Sequence, residues 1–217
     1  MFRLRRRCII HSALAWPCSA TRRGITLGAS GGIFDVNPST VFTYGGIITG
    51  AGSLTKVDSG TLLLSGVNTY IGATNVNAGT LTLGANQNMS GTLALGGGTL
   101  DLGSHTSTFG SLSVTSSSTL DFSGTSILHV SQINSFDTSS ITLTINNWTT
   151  GDYFYSTANP GSVLSGIDFT GFASGAQWNP TTGALTPVPE PSFYAMLMGV
   201  ALFAGLLFRD RLKRRSC

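Results

Sequence analysis

The chain has 217 residues, room for one domain plus targeting segments, with a formal net charge of +3 and a pI near 9.0. That basicity sits at the ends: between Gly24 and Pro187 the only basic residue is Lys56, against seven aspartates and no Glu, a net of −6. No basic stripe is therefore available to a nucleic-acid partner, and the three cysteines (Cys8, Cys18, Cys217) lie outside this body, which excludes a disulfide framework or thiolate metal cluster within it.

Residues 1–23 open with a basic run containing Arg3, Arg5, Arg6 and Arg7, followed by an apolar stretch, Cys8–Trp16, interrupted by His11 and Ser12. Cys18-Ser19-Ala20 then offers small residues for cleavage, so the order of parts is that of a secretory signal peptide. A start misplaced inside a longer reading frame is the alternative.

Residues 24–145 form the repeat region. Gly60-Thr61-Leu62-Leu63-Leu64, Gly79-Thr80-Leu81-Thr82-Leu83, Gly98-Thr99-Leu100-Asp101-Leu102 and Ser118-Thr119-Leu120-Asp121-Phe122 begin at intervals of 19, 19 and 20. A weaker copy, Ser140–Ile145, starts 22 residues further on, and an extra Gly91-Thr92-Leu93-Ala94-Leu95 lies between the second and third. Each unit alternates apolar and small polar residues and ends in Gly, Ser or Asn, the pattern of a short strand with one buried face. A period near twenty is about one coil of a parallel β-helix, whose coils bury their apolar faces by stacking. The expected fold class is all-β: a right-handed parallel β-helix with coils of about 20 residues, plus one C-terminal transmembrane helix. Stacking predicts internal ladders of Leu62, Leu81, Leu100 and Leu120 and of Leu64, Leu83, Leu102 and Phe122. Threonines 61, 80, 99 and 119 would face outward.

The stretch from Gly52 to Gly84, with its Leu54-Thr55-Lys56, Gly60-Thr61-Leu62, Asn68-Thr69-Tyr70 and Ala78-Gly79-Thr80-Leu81 landmarks, resembles the autotransporter-associated β-strand repeat, also called the passenger-associated transport repeat. Gly24–Gly28 and Gly45–Gly50 look like the preceding coil. The resemblance implies a secreted bacterial β-helical stalk. An autotransporter continues into a membrane β-barrel of strands about 9–11 residues long, for which this chain leaves no room, so a different export route is expected.

Residues 146–186 concentrate aromatics at Trp148, Tyr153-Phe154-Tyr155, Phe169, Phe172 and Trp178. A solenoid needs its last coil covered, since an open end is a sheet edge, and a cap is one reading of this segment. The other is a sugar-stacking surface of exposed Trp and Tyr, with Trp148 and Trp178 as glycan contacts.

Residues 187–217 have three parts: Pro187-Val188-Pro189-Glu190-Pro191, an apolar run Phe193–Phe208, and a basic tail with Arg209, Arg211, Lys213, Arg214 and Arg215. The prolines keep the chain extended. As a helix the apolar run would reach about 24 Å, short of the ~30 Å hydrocarbon core unless the bilayer thins. The basic tail would act as a cytoplasmic stop under the positive-inside rule. Together these parts resemble the PEP-CTERM sorting signal of diderm bacteria, with Pro189, Glu190 and Pro191 matching its tripeptide. That resemblance implies an exosortase as processing partner and an inner-membrane single-pass precursor with a cytoplasmic C-terminus. The product would go to the cell surface or the extracellular matrix, where exopolysaccharide is a candidate partner.

Catalytic chemistry is poorly supplied. His105 and His129 are the only histidines of the body, and among so many serines and aspartates a Ser/His/Asp combination carries no information. Asp101 and Asp121 occupy equivalent repeat positions, with Asp35 resembling them, and stacked carboxylates can hold Ca²⁺; solvated outward side chains are the simpler reading. No catalytic residue, metal or cofactor is assigned. The function expected is a non-enzymatic exported surface or matrix protein sorted by its C-terminal signal. The alternatives are a carbohydrate-binding adhesin and a polysaccharide-active β-helix enzyme.

Overall fold

A computed structural model describes residues 24–189, together with the backbone of Phe2–Arg3 and Cys8–His11. The chain winds as a parallel β-solenoid whose coils lay short strands on three faces in a fixed order. The first face carries Ile25–Leu27 and Ile48–Gly50, then Gln87–Asn88, Thr106–Phe109, Ile127–Val130 and Tyr153–Ser156. On the second lie Gly32–Asp35, Leu54–Val57, Thr74–Val76, Thr92–Gly96 and Ser111–Ser116, with Cys8–His11 pairing onto its first strand in parallel register. The third is a seven-stranded sheet from Val41–Tyr44 through Thr61–Leu64, Thr80–Leu83, Thr99–Asp101, Ser118–Asp121 and Leu143–Asn146 to Ile167–Phe169.

The strands form where apolar residues alternate with small polar ones, because the two-residue period sends one set inward and the other outward. On the third face Leu62, Leu81, Leu100, Leu120, Ile145 and Phe169 stand in one register and are buried. Tyr44, Leu64 and Leu83 begin a second ladder that Leu102 and Phe122 continue at the strand ends, buried likewise. Each such leucine contributes roughly 1.5–3 kcal/mol by transfer. Thr61, Thr80, Thr99 and Thr119 are in register on the outside and half-buried. Both ladders and the outward threonines therefore stand where the period places them.

Two details of the repeat differ from expectation. The extra Gly91–Leu95 copy belongs to the second face, where Leu93 and Leu95 oppose Leu112 and Val114. The weak fifth copy is offset by 25 residues, pairing Leu120 with Ile145. The intervening chain makes a longer excursion around Asp137, whose carboxylate accepts bonds from the Ser139 backbone and from the Ser139 and Ser140 hydroxyls.

The first face changes character in its middle. Thr69 and Ile71 donate backbone hydrogen bonds to Ile48 and Gly50. On the other side the Gln87 side-chain oxygen takes the bond from the Asn68 backbone N–H at 3.1 Å. The Asn68 side chain in turn accepts from the Ile48 N–H at 2.9 Å, and the Gln87 amide donates to Gly66 and Ala85. Both side chains are buried, so these bonds repay what desolvation of the amides costs.

At the C-terminal end a 3₁₀ turn, Gly161–Gly166, replaces the second-face strand and buries Val163. A hairpin of Ala173–Trp178 and Ala184–Val188 then folds back, and its second strand pairs antiparallel with Tyr153–Ser156, placing Leu185 against Phe154.

The transmembrane helix expected beside the solenoid is corrected. Among the described residues no helix is long and apolar enough to cross a membrane, and Phe193–Phe208 lies outside the described residues. Its sixteen or so residues were already too few for a ~30 Å core.

A candidate contact surface at the C-terminal end of the solenoid

Strands Ile127–Val130 and Tyr153–Ser156 lie side by side on the first face, with Leu128, Val130, Phe154 and Ser156 inward. The alternate residues Ile127, His129, Tyr153 and Tyr155 must point out. Register sets His129 beside Tyr155, and their rings stack at 4.6 Å with an interplanar angle of 12°. Tyr153 lies 5.6 Å from Tyr155 at 8°, and it is 46% exposed. Three near-parallel rings thus stand on the outer surface. Partial burial lowers the His129 pKa below its ordinary 6.5, favouring the neutral imidazole.

The hairpin brings a wall alongside these rings. The Ser156 N–H donates to the Gly183 carbonyl at 2.9 Å, and the Trp178 indole N–H donates to the Ser156 carbonyl at 3.0 Å. The Asn179 side-chain oxygen accepts from the Thr181 and Thr182 N–H groups at 2.8 and 3.2 Å, which holds the turn Pro180–Gly183 in shape. Between turn and strands lies a cleft of about 320 Å³ lined by His129, Tyr155, Ser156, Thr157 and the turn residues. Among the described residues no formally charged side chain lines it.

The tryptophans expected to contact a glycan sit differently. Trp148 is half-buried, edge-on to Phe122 at 5.0 Å and to Phe169 at 4.9 Å, so it closes the apolar interior of the last coils. Trp178 packs against the core with its N–H already engaged. The structure therefore brings Trp178 next to the cleft as a support and keeps Trp148 on the far side of the core ladder. Sequence reasoning offered exposed Trp and Tyr as a class but singled out only Trp148 and Trp178 by number and passed over His129, although the two-residue alternation in Tyr153-Phe154-Tyr155 was the signal that two rings face out and one faces in.

The carboxylates serve the backbone. Asp101 and Asp121 are in register on the third face, but Asp101 accepts from the Gly103 N–H at 2.9 Å and Asp121 from the Asn147 amide at 2.8 Å. Asp35 lies on the second face, away from them. Asp152 accepts from the N–H groups of Ser126 and Thr149 at 2.7 and 2.6 Å. Among the described residues no group of three or more His, Cys, Asp or Glu side chains is placed to hold a metal ion. Pro189 is exposed just beyond the hairpin; Glu190, Pro191, Arg209, Arg211, Lys213, Arg214 and Arg215 lie outside the described residues.

Residues 54–83 match the family model of the passenger-associated-transport-repeat. A stretch of 57 residues, 26% of the chain, is 46% identical to the adhesin BmaC autotransporter of Brucella suis biovar 1 (strain 1330). The chain spans about 2% of the length of that curated relative. No solved structure matches the chain. These likenesses correct the reading of the C-terminus as a PEP-CTERM signal: what the chain is similar to is an autotransporter passenger repeat and an autotransporter adhesin. With the sorting signal goes the exosortase as partner. The membrane partnership through Phe193–Phe208 and the inner-membrane single-pass precursor fall as well, since no described helix can span a bilayer. The likeness to an adhesin supports a non-enzymatic protein.

Proposed function

We propose that the chain is part of an adhesin-like exported β-solenoid, its regular coils forming a stalk and its C-terminal end presenting a contact surface. The observation that carries this reading is the 46% identity to an autotransporter adhesin over 57 residues, in a chain whose coils stack through continuous leucine ladders. The charge-poor, Gly-, Ser- and Thr-rich body suits a secreted solenoid, and its aspartates are occupied with turns. Trp178 enters as a support of the contact surface through its bond to the Ser156 carbonyl, and Trp148 closes the apolar interior behind it. The test is retention of the purified full chain on cell and matrix surfaces, followed by assay of the same surfaces for released product. Saturable retention without product is expected. Absence of retention, or turnover of a polysaccharide, would overturn the reading.

A further inference from the structure

Resting on that adhesin-like reading, we infer that the cleft between His129, Tyr155 and the Pro180–Gly183 turn is a binding site for an uncharged pyranose unit of a glycan. A pyranose presents a C–H-rich face to a π-surface, and weak C–H contacts of this kind recur wherever such groups meet. Aromatic side chains supply large apolar area with few rotatable bonds, and their faces carry negative charge density that attracts C–H edges. Here His129 and Tyr155, the two rings that line the cleft, stack within 12° of parallel at a spacing fixed by the parallel pairing of adjacent coils, and Tyr153 lies beside them at 8° to Tyr155. The surface is therefore built before any ligand arrives, which reduces the ordering cost of binding.

The polar groups around the rings are the second observation. The Thr157 and Thr181 hydroxyls, the Tyr155 hydroxyl and the His129 ring nitrogens are not engaged in hydrogen bonds among the described residues, whereas the other two polar side chains of the lining are. The Ser156 hydroxyl donates to the Ala158 carbonyl, and the Thr182 hydroxyl accepts from the Ala184 N–H. The free groups include donors and acceptors, and among the described residues no formally charged side chain lines the cleft. That combination suits sugar hydroxyls and disfavours carboxylated or sulfated units, which would be desolvated without a cation to meet them. The cleft volume of about 320 Å³ fits one or two sugar rings and is at the lower end for ligand sites. Its walls come from two elements that no simple coil repeat would bring together, the parallel strand Tyr153–Ser156 and the terminal hairpin.

The test is direct titration of the full chain with neutral hexasaccharides of glucose, mannose, galactose and N-acetylglucosamine, with hexagalacturonate as the acidic control. At least one neutral oligomer is expected to bind. Tyr155→Ala should weaken that binding tenfold or more, and its circular dichroism is recorded to confirm the fold. Thr181→Arg gives a second measure: it blocks the cleft from an exposed turn position whose side chain makes no internal bond, and it should abolish binding with the melting temperature unchanged. Failure of every neutral oligomer to bind, tighter binding of the acidic one, or binding that survives both variants would overturn the site. Surface retention is measured alongside. Retention undiminished by Thr181→Arg, or undiminished on enzymatically deglycosylated surfaces, would assign adhesion to another face or to a protein partner. In that case the glycan site fails as the determinant of adhesion while the adhesin reading stands.

Discussion

Lys56 shows how much one residue can be asked to do in this fold. It stands in the second-face ladder between Phe34 and Val76, a position where every period argument places an apolar side chain, and it is fully buried. Its ammonium turns to the corner and donates to the carbonyls of Val57, Asp58 and Ala78 at 2.8, 2.6 and 3.3 Å. Asp58 there adopts a positive φ of 62°, so the corner is a tight one whose carbonyls converge. Burial lowers the Lys56 pKa below 10.5, against the opposing pull of Asp58 and Asp35. Lys56→Met is expected to cost about 2 kcal/mol, because three corner carbonyls lose their shared donor; urea denaturation reads this directly, and an increase in stability would show that desolvation outweighs the bonds. The sign of the pH effect follows from the lowered value. Below the folded pKa both states hold the proton and the burial penalty is constant. As pH rises from there towards 10.5 the folded state sheds the proton first, and the penalty is relieved. The advantage of the native chain over Lys56→Met should therefore grow with pH in that window. Taking the difference removes Tyr44 and Tyr70, whose raised pKa values make stability fall above 10.0 in both proteins.

At the scale of the coil, glycines set how closely turns can stack. A Cβ on Gly72 would run into the backbone of Gly52, one on Gly91 into the Gly72 carbonyl, and one on Gly110 into the Ser90 carbonyl. The three form a column at the corner before the second-face strands, where successive coils touch backbone to backbone. Gly91→Ala should cost about 3 kcal/mol, since neither coil can move without breaking its ladder. Gly45→Ala, where the nearest atom is the Ser65 hydroxyl at 3.4 Å, should be neutral or slightly stabilising through loss of unfolded-chain entropy. Thermal melts of the pair separate crowding from propensity. The sequence made the third face legible because Gly-Thr-Leu recurs there with little variation, and its alternation alone placed the leucine ladders. The second face was harder to read: its ladder mixes Leu54, Thr74, Leu93 and Leu112 with Lys56 and Val76, and only pairing across coils shows them to be equivalent. The contact surface was half legible. The aromatic cluster could be seen in the chain, but Trp148 and Trp178 stood out by size, and which of the outward rings is walled into a cleft depends on the hairpin that folds back beside them.

For the molecule as a whole, the decisive element is that hairpin. A solenoid gains its stability from contacts between neighbouring coils, so its ends are weak and its last strands offer unpaired backbone groups to other chains. Tyr153–Ser156 would be such an edge. Ala184–Val188 covers it by reversing direction, a pairing that no further parallel coil can extend, and Leu185 fastens the strand by burying itself against Phe154. Leu185→Asp places a carboxylate in that contact, where no cation among the described residues is near to receive it, and should release the hairpin while leaving the inner coils stacked. Sedimentation velocity is then expected to show self-association that increases with concentration, together with faster amide exchange confined to the last coils. Thr186→Asp, one residue along and exposed, should sediment like the native chain. If Leu185→Asp stays unassociated with its last coils still protected, the strand is not a cover and the end of the solenoid is stable without it. The same variant bears on the contact surface, because the Pro180–Gly183 turn leaves with the hairpin: a chain that uncaps must also lose one wall of its cleft, so capping and contact are a single structural event.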